Sequence, residues 1–411
     1  MKRNLEVLKK VLLALVALAF LFELVRDCQR DGDFIGYVNA GNAVLNGTNI
    51  YSDYLNTWPP FFSIFSVPIA LFDSISPIGT RLIWLMMIIV SWFFIIQCTL
   101  RLGLGRRLRW FNTTDSTDIK ITDWAVLLPF LFVLRFVIDD LSNIQINSFM
   151  LLACLFVVKQ HINGGWLIGG VVLGLIIALK VYPIFLLFFL VYKSSYKLVA
   201  TGVATIAFTV LLSILVFDVE VALSYYQDWI GNKALAPTII THKNQSFFPL
   251  SEAFFANQTR GLNIYYNLFD MPISVAKRIA YGVIGFFGLV VLAIFYQDKR
   301  TFKRFREFEQ FSVVLAVIPI ISPLAWKYYF VFLFPLYVMV YHQLFTLNHH
   351  RVFLKVAFFL SLALSILSTD GLLGVWFSDV LEVFGCITLA TIVLVVTFLS
   401  SKLIQNESRL W

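Results

Sequence analysis

Long apolar runs govern what this chain can fold into. A helix that crosses a bilayer needs about 20 consecutive, mostly apolar residues. Stretches of that kind recur from end to end, beginning near Val11, Ile78, Trp124, Gln145, Trp166, Tyr182, Leu198, Ile273, Phe311, Tyr328, Val352 and Asp379. Those that begin at Trp166 and Tyr182 are short and meet at Lys180, where they can merge into one span. The expectation is an all-α, polytopic transmembrane helix bundle of about 12 spans. Composition closes the argument: 14 % charged residues and a mean hydropathy of +0.82 leave too little polar surface for a water-soluble body of 411 residues.

The net charge of +8 does not signal nucleic acid. About two thirds of the 32 Lys and Arg residues fall in alternate connections, such as Arg101–Arg109 and Lys299–Arg306. The positive-inside rule reads this as cytoplasmic N- and C-termini. The opening segment, Met1 to Arg26, is basic and then apolar with no small-residue cleavage site, so it reads as a retained anchor. Cys28, Cys98, Cys154 and Cys386 lie far apart in no metal or disulfide spacing. No low-complexity tract or separate soluble domain interrupts residues 1–411, which read as one integral membrane domain.

Two outer segments exceed what a connection needs, residues 27–77 and 218–272, and spare loop on a rigid scaffold is where sites are built. In the first, Phe34, Tyr37, Val38, Gly41, Val44 and Leu45 recur at helical spacing, and Asn46-Gly47 is a stop signal. This predicts an amphipathic helix at the membrane face, with a second helix over Phe61 to Phe72 that begins just after the paired prolines of Trp58-Pro59-Pro60.

Several residues carry chemistry or a plainer role, and both readings stand on spacing alone. Asp33 is placed as a general base near the membrane surface or as a helix N-cap, with Asp27 and Asp31 its neighbours. Lys180 holds a phosphate or snorkels to headgroups. The run Thr241-His242-Lys243-Asn244-Gln245-Ser246, with Arg260, offers phosphate and sugar contacts or forms a solvated loop. Asn143, Gln145 and Asn147, after Asp139 and Asp140, cap the fourth span or line a cleft. Ser322-Pro323-Leu324-Ala325-Trp326-Lys327-Tyr328-Tyr329 marks an interfacial junction. No Walker loop, zinc spacing, hydrolase triad or dinucleotide fingerprint occurs, and no acidic cluster demands a metal.

These motifs, in order, resemble glycosyltransferase family 87. They are Asp33-Phe34-Ile35-Gly36-Tyr37, Ala43 to Gly47, Tyr51, Trp58-Pro59-Pro60-Phe61, Gln145-Ile146-Asn147, Gly174 to Lys180 with Pro183, Asn244-Gln245-Ser246, and Ser322 to Trp326. The resemblance covers roughly residues 10 to 340 and implies a GT-C bundle in a cell membrane, a bacterial inner membrane, with its active site outside the cytoplasm. It implies inverting transfer of a hexose, mannose by expectation, from a polyprenyl-phosphate donor to a glycan or glycolipid hydroxyl. Neither cofactor nor metal is implied. Asp33 matches the family's base and Lys180 its phosphate-binding cation. His242, Lys243, Asn244, Gln245, Arg260 and Lys327 are the further donor contacts, with Tyr37, Gln145, Asn147 and Tyr328 in support. The family's histidine after the Ser-Pro-x-x-Trp run is replaced here by Lys327-Tyr328-Tyr329. A transporter or lipid flippase is the competing reading, weakened by the absence of an internal repeat. Reporter fusions in segments 27–77 and 218–272 should report the outer face and a fusion within Lys299–Arg306 the cytoplasm; the reverse pattern would invert the assigned topology.

Overall fold

The computed structural model describes residues 2–109, 118–234, 239–301, 304–347 and 351–404. Among these the chain is helical throughout, with one isolated bridge, Leu108 to Ile119, and no strand. Among the described residues, five helices are long and apolar enough to cross a membrane: Pro77–Leu104, Tyr196–Phe217, Ile273–Arg300, Lys327–Thr346 and Cys386–Ile404. A pair bent by 90°, Val352–Leu367 with Asp370–Val383, makes a sixth if it is one span. Their outward faces are apolar: Leu215 is 72 % exposed, Phe286 70 % and Val352 71 %. Contiguous surfaces of that kind are stable against lipid and not against water.

The chain divides into two compact units. The first comprises Met1–Leu100 and Val137–Pro237. Residues 27–77 include the anticipated helix, Phe34–Leu45, stopped at Asn46-Gly47 with Gly47 at φ 62°. The paired prolines start the next helix, Pro60–Phe65, with Pro60 itself in the first turn, and Val67–Ile75 follows after a break at Ser66. Tyr37 packs edge-on against both Trp58 and Phe62, at ring distances of 4.8 and 5.1 Å, and Phe34 packs edge-on to Trp84 at 5.4 Å. The two short runs expected from Trp166 and Tyr182 form separate helices on either side of Lys180, Trp166–Leu179 and Ile184–Tyr192. The second piece has 9 residues, and a rise of about 1.5 Å per residue leaves it well short of a crossing. Trp166–Leu179 lies directly on Tyr196–Phe217 because Gly170 and Gly174 have no side chain. A Cβ on Gly174 would stand 2.5 Å from the Gly202 carbonyl, and one on Gly170 2.6 Å from that of Leu198. Small residues four apart commonly let apolar helices approach this closely.

The second unit comprises Arg101–Phe136 and Thr238–Trp411. Val352–Leu367 packs on Cys386–Ile404, and Phe132, Tyr337 and Phe358 interlock at 5.1 to 6.0 Å. The Tyr337 hydroxyl shares hydrogen bonds with Ser361 and Ser365. The last apolar run is corrected here. It was expected to begin near Asp379, but that residue lies in Asp370–Val383 and the final helix starts at Cys386. Gly385 at φ 71° stops the first helix, a turn that apolarity alone passes over.

The glycine contact is testable by thermal unfolding in detergent. Gly174→Ala should cost about 1–3 kcal/mol through overpacking. Gly285→Ala, where a Cβ meets nothing within 4 Å, should be neutral or slightly stabilising.

Candidate active site

Asp33 precedes the Phe34–Leu45 helix, where an N-cap belongs, yet it is not used as one. Its backbone is already helical, φ −76° and ψ −8°, and its side chain makes no capping bond. Instead Asp33 Oδ2 accepts a 2.6 Å hydrogen bond from Gln145 Nε2. Gly32, at φ 51°, brings the backbone against Asn143, whose carbonyl takes the Asp33 amide at 3.2 Å.

Gln145 is buried and uses both ends of its amide. Its Oε1 accepts the Tyr37 hydroxyl at 2.9 Å and Lys180 Nζ at 3.2 Å. Lys180 Nζ also reaches Asn147 Oδ1 at 3.4 Å, which in turn accepts the Tyr182 hydroxyl at 3.1 Å. A carboxylate and an ammonium are thus fixed at opposite ends of one side chain. Lys180 is placed by the helix break: it follows Leu179 in extended conformation, and Pro183 precedes the next helix. Asp33, Tyr37, Gln145, Asn147 and Lys180, all singled out in the sequence, therefore belong to one network. Tyr182 joins it without having been named as a site residue; its signal was position alone, two residues past a buried lysine.

The turn that presents Gln145 is strained and anchored. Ile144 has φ 50°, unfavourable for a β-branched residue by roughly 1–3 kcal/mol. Asp140 holds the turn. Its carboxylate accepts the amides of Asn147 and Ser148 at 3.3 and 3.0 Å and their side chains at 3.1 and 2.6 Å. Those amides open the Asn147–Ile162 helix, so Asp140 caps it from the preceding helix and meets the positive end of its dipole. A cleft of about 700 Å³ runs along the Phe34–Leu45 helix and is lined by Asn39, Asn42, Asn46, Asp53 and Tyr54 among others.

In the second unit, the polar patch and the Ser-Pro-Leu-Ala-Trp run are tied together. Asn244 Oδ1 accepts the Ala325 amide at 3.0 Å, its Nδ2 reaches the Pro323 carbonyl at 3.2 Å, and the Gln245 amide donates to the Ala325 carbonyl at 2.8 Å. Arg260 donates to the carbonyls of Val383 and Asn244 at 2.7 and 2.6 Å. Burial pulls its pKa below the ordinary value, opposed by Tyr266 and Glu382. Asn244, Gln245 and Arg260 thus direct bonds to backbone, and Lys243 is exposed. Lys327 pairs with Glu382 at 2.6 Å, and Tyr328 stacks on Tyr329. Although no acidic cluster is visible in the linear sequence, His242, Asp379 and Glu382 converge, with one donor atom from each within 4.8 Å of the others. Arg135 and Glu382 were missed; each is a charge inside an apolar run, a signal worth pursuing in any membrane chain.

The model of glycosyltransferase family 87 matches residues 56–323, well over half of the chain. No curated protein matches it.

The Asp140 anchor is testable by thermal unfolding. Asp140→Ala strands buried donors and should cost about 1–3 kcal/mol or more. Ser148→Ala, which removes the hydroxyl's bonds with Asp140 and Trp92 but leaves the capped amides bonded, should cost less, and equal stability of the Asp140 variant would refute the capping role.

Proposed function

The chain belongs to glycosyltransferase family 87, a membrane glycosyltransferase, and from that premise we propose a specific reaction. A hexose, mannose by expectation, passes from a polyprenyl-phosphate donor to a hydroxyl on a glycan or glycolipid, on the extracytoplasmic face of a bacterial inner membrane. The GT-C bundle of about twelve spans with both termini cytoplasmic is part of this reading. The observation that carries it is the Gln145 amide, which holds the Asp33 carboxylate and the Lys180 ammonium in one buried network.

The chemistry follows from those two charges. Asp33 takes the proton of the acceptor hydroxyl as that oxygen attacks the anomeric carbon. The bond from that carbon to the phosphate oxygen breaks on the opposite face, so configuration inverts. The departing lipid phosphate gains negative charge, and Lys180 stabilises it in a site where water does not screen the attraction. Gln145 and Asn147 keep Lys180 aimed, and Tyr37 keeps Gln145 aimed. The amide-lined cleft along the Phe34–Leu45 helix suits sugar hydroxyls, which need both donors and acceptors. In the second unit, Asn244, Gln245 and Arg260 hold the loop that carries His242 and Lys243 through bonds to backbone. A prenyl tail delivers an activated sugar within the bilayer, so the reaction needs no nucleotide fold.

The test is sugar transfer by purified protein in lipid, with polyprenyl-phosphate mannose and a panel of glycolipids. Asp33→Asn should lower the rate by about 10²–10⁴-fold while still binding donor. Lys180→Met should lower kcat by about 10²–10³-fold, the scale for losing one electrostatic stabiliser of the transition state. Unchanged transfer by a folded Asp33→Asn variant would remove Asp33 from the chemistry.

A further inference from the structure

We propose that His242, Asp379 and Glu382 form a site for a divalent transition-metal ion, Zn²⁺ by its donor chemistry. Asp379 and Glu382 stand three apart on the Asp370–Val383 helix and so share a face. His242 comes from the loop before Phe247–Phe255. One donor atom from each lies within 4.8 Å of the other two.

Three observations separate this cluster from an ordinary ion pair. First, His242 Nε2 is 3.2 Å from Asp379 Oδ1, yet neither ring nitrogen makes a hydrogen bond. Two ligands on a single ion, each about 2.0–2.2 Å from it, stand at about this separation. Second, Glu382 is fully buried and its Oε2 has no hydrogen-bond partner. Leaving a carboxylate oxygen dry and unbonded is costly. Third, Glu382 Oε1 is held by Lys327 at 2.6 Å and Arg135 at 3.4 Å. That fixes the position of its other oxygen, as outer-shell partners do for metal-bound carboxylates.

The same cations choose the ion. Arg135 and Lys327 offset the two carboxylate charges, so a hard ion held by charge alone gains little. Imidazole nitrogen with two carboxylate oxygens suits Zn²⁺, which tolerates three protein ligands and an open fourth position. Gly261 makes room for the ring: a Cβ there would stand 2.7 Å from His242 Nδ1. An ion at this point would clamp the loop after Thr238 to the Asp370–Val383 helix.

The experiment is zinc binding to the full-length purified protein in detergent, after chelator treatment, read by elemental analysis and by competition with a chromogenic chelator. The expected result is one zinc per chain, lost in Asp379→Asn and in His242→Gln, and a chelator-sensitive rise in melting temperature of the wild type alone. Melting temperatures of the metal-free variants establish that each is folded. Absence of bound zinc in the wild type, or equal binding by folded variants, would overturn the proposal. Zinc binding is read without sugar transfer, so it stands or falls apart from the proposed reaction.

Discussion

The hydrogen bonding of one buried amide organises the first unit's candidate site. Gln145 has two donors and an acceptor oxygen with two lone pairs, and the protein engages both ends. In a poorly solvated interior, an unpaired amide costs more than a pairing gains, so these partners are fixed together. The amide therefore sets where Asp33 and Lys180 can stand. Its position rests on the strained turn at Ile144, which Asp140 holds by capping the next helix. A carboxylate at the start of one helix and a lysine at the end of another become a single catalytic candidate through that chain of dependence.

The two clusters treat polar groups differently. In the first, around Gln145, neutral amides and hydroxyls link a carboxylate and an ammonium. In the second, Arg260, Asn244 and Gln245 bond to backbone and lock loops in place, while Arg135, Lys327 and Glu382 form a direct ionic cluster. A buried ion pair gains little stability after desolvation. Its retention with an unpartnered carboxylate oxygen is better understood as preparation for something bound than as a contribution to folding.

Family membership decides between the two sequence readings. A transporter shares the apolar runs and the charge bias, because both follow from the bilayer. What distinguishes a glycosyltransferase of this family is the ordered set of motifs, and the structure brings some of them into contact. Gln145-Ile146-Asn147 meets Lys180, and Asn244-Gln245-Ser246 meets Ser322 to Trp326.

Sequence by itself determined the helical class, the membrane setting, the Phe34–Leu45 helix and the stop after it. Each follows from local physics: apolar length, helical periodicity, and the conformations open to Gly and Pro. The residues of the Gln145 network were also legible one by one, because polar groups stand out in apolar sequence. Their mutual contact was not, since Asp33 and Gln145 are separated by a hundred residues of chain whose path only packing fixes. The break at Lys180 was visible as a short run on either side, whereas the stop at Gly385 was hidden by apolar residues around it. Tertiary structure alone decided that Asp33 bonds to Gln145 rather than capping its own helix. It alone brought His242 to Asp379 and Glu382, because convergence of distant side chains depends on how helices pack and not on any spacing along the chain.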